Sequence, residues 1–245
     1  MIEAFLASTF AGSATCLGSL PLFFFKRIPH RIYDGLLGMS AGIMLSASAF
    51  SLISPALHAG YLYQFVIGFT LGVLFMLVLE NSLPHLEPHF SRKALTPTLR
   101  RGILVATAIT IHNFPEGFSS GVGYYSLPPG HGLALAVGIA IQNIPEGLAV
   151  ALPIWRGGTS RAKIFFITLA SGLAEPVAGF IGILLVSFLK FLLPYALSFA
   201  GGAMLYVTFL QLIPESYSHK NEREATIGVV GGLIIMLFLE FIFHP

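Results

Sequence analysis

Residues 109–118 read ITIHNFPEGF, and residues 139–148 read IAIQNIPEGL. Six of the ten positions are identical, and both stretches lie inside long apolar runs. A histidine, amides, glutamates and prolines are thus placed twice in segments otherwise suited to hydrocarbon. The runs are too long and too poorly alternating for strands, and only helices or closed barrels satisfy their backbone groups in lipid. His112 and Glu116 are i and i+4, as are Gln142 and Glu146, so each pair shares one helix face.

The rest of the chain agrees with a helical membrane protein. Its 245 residues are 55% hydrophobic and 10% charged, with mean hydropathy +0.82, whereas soluble domains carry about 25% charged residues. The net charge of +2 argues against a nucleic-acid partner. Cys16 is the single cysteine, which excludes an internal disulfide and any cysteine-rich zinc motif. The start of the chain lacks a basic region, so the first apolar run reads as a retained span.

A spanning helix needs roughly 20 apolar residues. Eight candidates are expected in one transmembrane domain, 1–245, at about 2–25, 35–56, 62–83, 102–125, 132–154, 164–189, 195–217 and 225–243. Twelve of the 13 Lys and Arg fall in alternate connections: Lys26, Arg27 and Arg31; Arg92, Lys93, Arg100 and Arg101; Arg156, Arg161 and Lys163; Lys220 and Arg223. The positive-inside bias assigns those loops to the cytoplasm and both termini to the external or periplasmic side of the cell (inner) membrane.

Residues 37–80 match 197–240 at a constant offset of 160, with 13 identities including Gly42/Gly202, Met44/Met204, Gly72/Gly232, Met76/Met236 and Glu80/Glu240. Gly12/Gly172 extends the match to spans one and six. The related spans run in opposite directions, so the all-α architecture is an inverted repeat of three, two and three helices. Secondary transporters are often built this way, with substrate near the midplane at the repeat interface.

Glu116, Glu146 and Glu175 lie well inside spans, and no Lys or Arg does. A carboxylate in hydrocarbon needs a partner or a proton. Its partner here is therefore a cation from solution, a proton, or water in a cavity. Pro115 and Pro145 free the carbonyls of Ile111 and Ile141 for a cation or water. Gly117 and Gly147 let neighbouring helices approach, and Pro176 should loosen span six beside Glu175. Imidazole with carboxylates and no thiolate suits Zn²⁺, Fe²⁺ or Mn²⁺. His112, Glu116, Gln142 and Glu146 supply the four donors zinc usually takes. Asn113 and Asn143 line a second, oxygen-rich site or bond between helices. Met44 reaches similar depth. His85 and His89 read as a solvated loop or a loose metal-collecting patch. Glu80, Glu215 and Glu240 read as interfacial.

The paired NxPEG motifs, with SAGIMLSAS on span two and SGLAEPVAG on span six, resemble the ZIP (Zrt/Irt-like) family of divalent metal transporters, in its prokaryotic GufA-like and ZupT-like branch. The resemblance covers essentially the whole chain. It implies inward transport of zinc, with iron, manganese or cadmium carried by some members. It also implies a binuclear intramembrane site at His112, Asn113, Glu116, Gln142, Asn143 and Glu146, with Met44 and Glu175 as further ligands. The transported divalent metal and the bilayer are the implied partners, and homodimerisation is left open. The chain departs from the pattern at Gln142, where many members carry histidine, and at Asn143, where some carry an acid. A channel-like conduit would use the same residues. An intramembrane metalloenzyme is disfavoured because no HExxH occurs.

Overall fold

The computed structural model describes residues 1–25, 27–90 and 97–243, the side chains of 83–90, 97–101, 105 and 129 excepted. Among the described residues there are helices and no strands. Eight helical rods follow in order: α1 (Ile2–Phe24), α2 (His30–Ala59), α3 (Leu62–Phe90), α4 (Pro97–Ser126), α5 (Pro129–Arg156), α6 (Arg161–Phe188), α7 (Lys190–Ser216) and α8 (Glu222–Phe243). Several overrun the apolar limits read from the sequence. Hydropathy marks the part that sits in hydrocarbon, whereas backbone hydrogen bonding carries a helix on into the headgroup layer. Thus α3 continues through the expected loop at His85 and His89, whose side chains lie outside the described residues.

The expectation of eight apolar spans needs correction. Among the described residues seven rods are long and apolar enough to cross a membrane, and α4 is not among them. The physical reason is its load of His112, Asn113, Glu116, Ser119 and Ser120, all buried. It nevertheless runs the depth of the bundle beside α5. Gly102 abuts Pro153 and Ile154 at one end, and Gly123 abuts Leu135 at the other. At 1.5 Å per residue that interval covers about 31 Å, the thickness of a hydrocarbon core. Protein rather than lipid surrounds α4, so it needs no apolar exterior.

The inverted repeat is written in the backbone contacts. A Cβ on Gly42 (α2) would collide with the carbonyl of Val229 (α8), and one on Gly202 (α7) with that of Phe69 (α3). Gly232 likewise meets Met39, and Gly72 meets Phe199. Each of these pairs is the other shifted by the offset of 160. The two halves even share a defect: α2 widens into a π-helical segment at Ala47–Ile53, and α7 does so at Thr208–Leu212. Near the pseudo-twofold axis Gly12 and Gly172 pack on each other's carbonyls.

These contacts sort the rods into two groups. The first, α1, α4, α5 and α6, is locked by Gly12–Gly172, Gly117–Glu175, Gly147–Thr15 and Gly121–Gly179 backbone approaches. The second pairs α2 with α8 and α3 with α7. Bulky side chains meet where the groups adjoin: Phe75 and Phe199 pack on Phe114 and Phe118, with the ring centroids of Phe75 and Phe114 5.4 Å apart. The outer faces of α3 and α8 expose Ile67, Leu71, Leu74 and Val78, and Ile227, Val230, Ile234 and Leu237. This helical spacing makes continuous apolar stripes, which lipid rather than water would cover.

Close approach makes two glycines critical. A methyl at 117 would strike the backbone of Glu175, and one at 147 that of Thr15. Gly117→Ala and Gly147→Ala should each cost about 1–3 kcal/mol, the usual effect of overpacking. Gly231 has open space around it, so Gly231→Ala should be neutral or stabilise by up to about 1 kcal/mol through helix propensity. Unfolding midpoints in detergent would distinguish the two kinds of site.

Candidate metal centre

Proline sets the local geometry. Pro115 and Pro145 lie inside continuous α4 and α5. In α6 the effect is larger: the helix breaks at Leu173 and restarts at Ala174, placing Glu175 in a first turn. Pro176 cannot donate to the carbonyl of Gly172, so the first segment ends there. The expected loosening of span six is thus a break that delivers a carboxylate.

His112, Asn113, Glu116, Gln142, Asn143, Glu146 and Glu175 are all buried, as is Met44. The two asparagines act as a symmetric pair of struts. Asn113 Nδ2 donates to the carbonyl of Ser171 at 2.9 Å, and Asn143 Nδ2 to that of Ala11 at 2.8 Å. Ala11 and Ser171 are themselves 160 residues apart. Asn143 Nδ2 also donates to Glu175 Oε1 at 2.6 Å, tying α5 to α6. Glu146 Oε1 accepts from Ser40 Oγ of α2 at 2.5 Å.

Much of the remaining polarity has no partner. His112 Nε2, both carboxylate oxygens of Glu116, both amide atoms of Gln142, Asn143 Oδ1 and Glu175 Oε2 are buried without a hydrogen bond. An orphaned buried group costs about 1–3 kcal/mol, and native proteins keep few of them. Here they accumulate around Glu116, which faces Glu146 and Gln142 and lies within electrostatic reach of Glu175. Three glutamates thus share one interior, and no Lys or Arg is buried among the described residues.

The arrangement differs from a closed cage. Among the described residues no three His, Cys, Asp or Glu side chains converge to hold an ion; amides fill the positions between the acids. Met44 sits in an apolar cluster with Phe118, Ile139 and Ala140.

A cavity of about 600 Å³ reaches the centre from one end of the bundle, lined by His112 and Glu146 at depth and by His30, Arg156, Glu215 and His219 nearer the surface. Toward the opposite end α4 and α5 close with buried Val122, Leu135 and Ile139. Among the described residues this cavity opens toward the Arg156 end.

Several contributors were not singled out in the sequence. Ser40 holds Glu146, and its signal was its place in SAGIMLSAS beside Met44. Thr15, buried with Oγ1 unpartnered, occupies the position related by the repeat to Glu175. Asp34 is buried and accepts from Asn221 Nδ2 at 2.7 Å, with His219 Nδ1 2.9 Å away. Glu215, expected at the interface, lines the cavity, with Tyr33 Oη 3.4 Å away. Glu80 accepts from Tyr206 Oη at 2.6 Å, and Glu240 from Ser51.

The opening of the cavity has a direct check. In a Cys16→Ala background, Ala149→Cys, on the cavity wall, should react with a membrane-impermeant thiol reagent supplied from the Arg156 end. Ala178→Cys, in the apolar core, should stay unlabelled from either side.

Comparison with known proteins places this arrangement. Residues 90–240 match the family model described as ZIP Zinc transporter. The zinc transporter GufA of Myxococcus xanthus is 38% identical over 245 aligned residues, covering 96% of both chains. The zinc transporter ZupT of Chlorobaculum parvum is 36% identical, again over 96% of both. The human zinc transporter ZIP11 is 30% identical over 98% of this chain and 97% of its own. With full-length relatives and the paired PEG helices at its centre, this multi-pass membrane protein, which is not an enzyme, belongs to the ZIP zinc transporter family.

Proposed function

We propose that the chain carries Zn²⁺ inward across the cell membrane, through the site formed by His112, Asn113, Glu116, Gln142, Asn143, Glu146, Glu175 and Met44. The observation that carries this reading is the set of three buried glutamates without a basic residue. Two carboxylates and an imidazole, flanked by amide oxygens, suit zinc and also admit iron, manganese or cadmium. Zinc is the ion named for the relatives.

His112 and Glu146 face the cavity and take the metal first on that side. Glu116 and Glu175 lie behind them and complete two overlapping positions, in which the carboxylates are shared and the metal passes stepwise. Gln142 supplies a neutral oxygen. Asn143, neutral and engaged with Glu175, weakens the second position relative to one built on an acid. The basic loops beside the cavity support a cytoplasmic mouth with both termini outside, the reading of an inward-facing state. The grouping of α1, α4, α5 and α6 apart from the paired outer helices supports alternating access by displacement of one group against the other. The phenylalanine contacts between them can slide with little directional penalty. A continuous conduit is disfavoured by the apolar closure at Val122, Leu135 and Ile139.

Zinc flux into proteoliposomes tests the reading. Glu146→Ala should abolish uptake while the protein still elutes as a folded species; uptake at the wild-type rate would remove Glu146 from the path. His112→Ala should shift competition away from zinc toward manganese, because imidazole favours the borderline metal.

Acidity supplies a further test. Each proton taken by a site carboxylate displaces metal. Metal affinity should therefore fall as pH is lowered, and Glu116→Gln should flatten that dependence in a zinc-binding titration.

A further inference from the structure

A second cavity, of about 520 Å³, lies beside the first, between the α1–α2 connection and the end of α5. Its lining combines two chemistries: Arg27, His30 and Arg156 with Ile28, Pro29, Leu152 and Trp155. Neither Arg27 nor Arg156 has an acidic partner among the described residues, whereas neighbouring Arg31 is held by Glu224 at 2.6 Å. His30 Nδ1 is buried without a hydrogen bond. These residues sit at helix ends, the level where Trp and Arg meet phospholipid headgroups.

Arg156 lines both cavities. In the first it stands in the wall of the route from His112 and Glu146 to the surface. Its guanidinium, held by no salt bridge among the described residues although Glu215 lines the same cavity, opposes the passage of a divalent cation there. A phosphate seated against it from the second cavity would cancel that charge.

We propose that the cavity formed by Arg27, His30, Trp155 and Arg156 binds the headgroup of an anionic glycerophospholipid, and that the bound lipid neutralises Arg156 and eases metal release. Arg27 and Arg156 take the phosphate, with His30 as a neutral hydrogen-bonding neighbour, and Ile28, Leu152 and Trp155 take the glycerol and upper acyl chain. Free phosphate shares the first interaction and lacks the second. Basic pockets between spanning helices are established headgroup sites in general. The effect on flux rests on the transport reading above; the binding does not.

The experiment has two arms. In the first, the purified protein in neutral detergent is melted with added phosphatidylglycerol, phosphatidylcholine or inorganic phosphate. Phosphatidylglycerol should raise the midpoint by several degrees, the other two should not, and the rise should disappear in Arg27→Gln and in Arg156→Gln. Arg27→Lys should retain part of it. Equal shifts with phosphatidylcholine or free phosphate, or unchanged shifts in the variants, would overturn the proposal. In the second arm, zinc uptake is compared in phosphatidylglycerol-containing and pure phosphatidylcholine vesicles. Anionic vesicles concentrate zinc at their surface whatever the protein does, so the variant comparison decides. Arg156→Gln should raise uptake in phosphatidylcholine and shrink the ratio between the two membranes several-fold; an unchanged ratio would overturn the coupling. Absence of zinc entry in every vesicle would defeat the transport reading instead, while the melting arm still decides the headgroup site.

Discussion

Glu116, Glu146 and Glu175 share a buried interior that holds no Lys or Arg among the described residues. Negative charge in a low-dielectric medium must be matched, and removing the match from a buried ionic group costs several kcal/mol. The surroundings supply only partial answers: a serine hydroxyl on Glu146 and an amide on Glu175. Glu116 has neither. Much of the remaining architecture serves to tolerate this. Prolines open the helices, small residues bring backbones together, and the asparagine struts keep α1, α4, α5 and α6 in register while the acids stay available.

That need also explains why α4 and α5 occupy the middle. A helix carrying His112, Asn113 and Glu116 is a poor lipid-facing element, so the chain surrounds it. The outer helices α3 and α8 do the opposite: each packs one face on its partner and turns an apolar stripe to hydrocarbon. Glycine contacts allow this division of labour. They let each group pack tightly within itself, while the junction between groups is made in part by the phenylalanines and in part by α5 against α2 and α8, as where Gly138 meets Met236 and Ile43. A shift at this junction has to release the hydrogen bonds of Ser40 Oγ to Glu146 Oε1 and to the Gln142 carbonyl.

The class of fold, the repeat and the identity of the buried acids were legible from one sequence, because lipid makes hydropathy and charge unusually informative. The offset of 160 in particular carries down to individual carbonyls: Gly42–Val229 and Gly202–Phe69 are the same contact twice. The ends of the helices were less legible, since Pro97–Ser126 and Leu62–Phe90 run past their apolar cores. The break at Leu173 was foreseen only as a weakening. Partners joined through space, such as Asp34 with His219 and Asn221, could not be read at all. Their separation of more than 180 residues leaves no local signal. Thr15 could have been found by taking the repeat one step further, to the mate of Glu175.

The contact between Gly147 and Thr15 also sets a timetable for biogenesis. Helix α1 carries Ser8, Thr15 and Ser19 on the side that ends up buried, and two residues it packs against, Gly147 and Glu175, are synthesised more than a hundred residues after it. Until then it must rest in the bilayer with only local hydroxyl–carbonyl bonds, such as Thr9 to Phe5 and Ser13 to Thr9, to quiet its polarity. Glu175 arrives after α5, when Asn143 is already in place to receive it. The order of the helices along the chain therefore spares the newest carboxylate a long stay in lipid. A circular permutation that placed α6 before α5 would remove that protection.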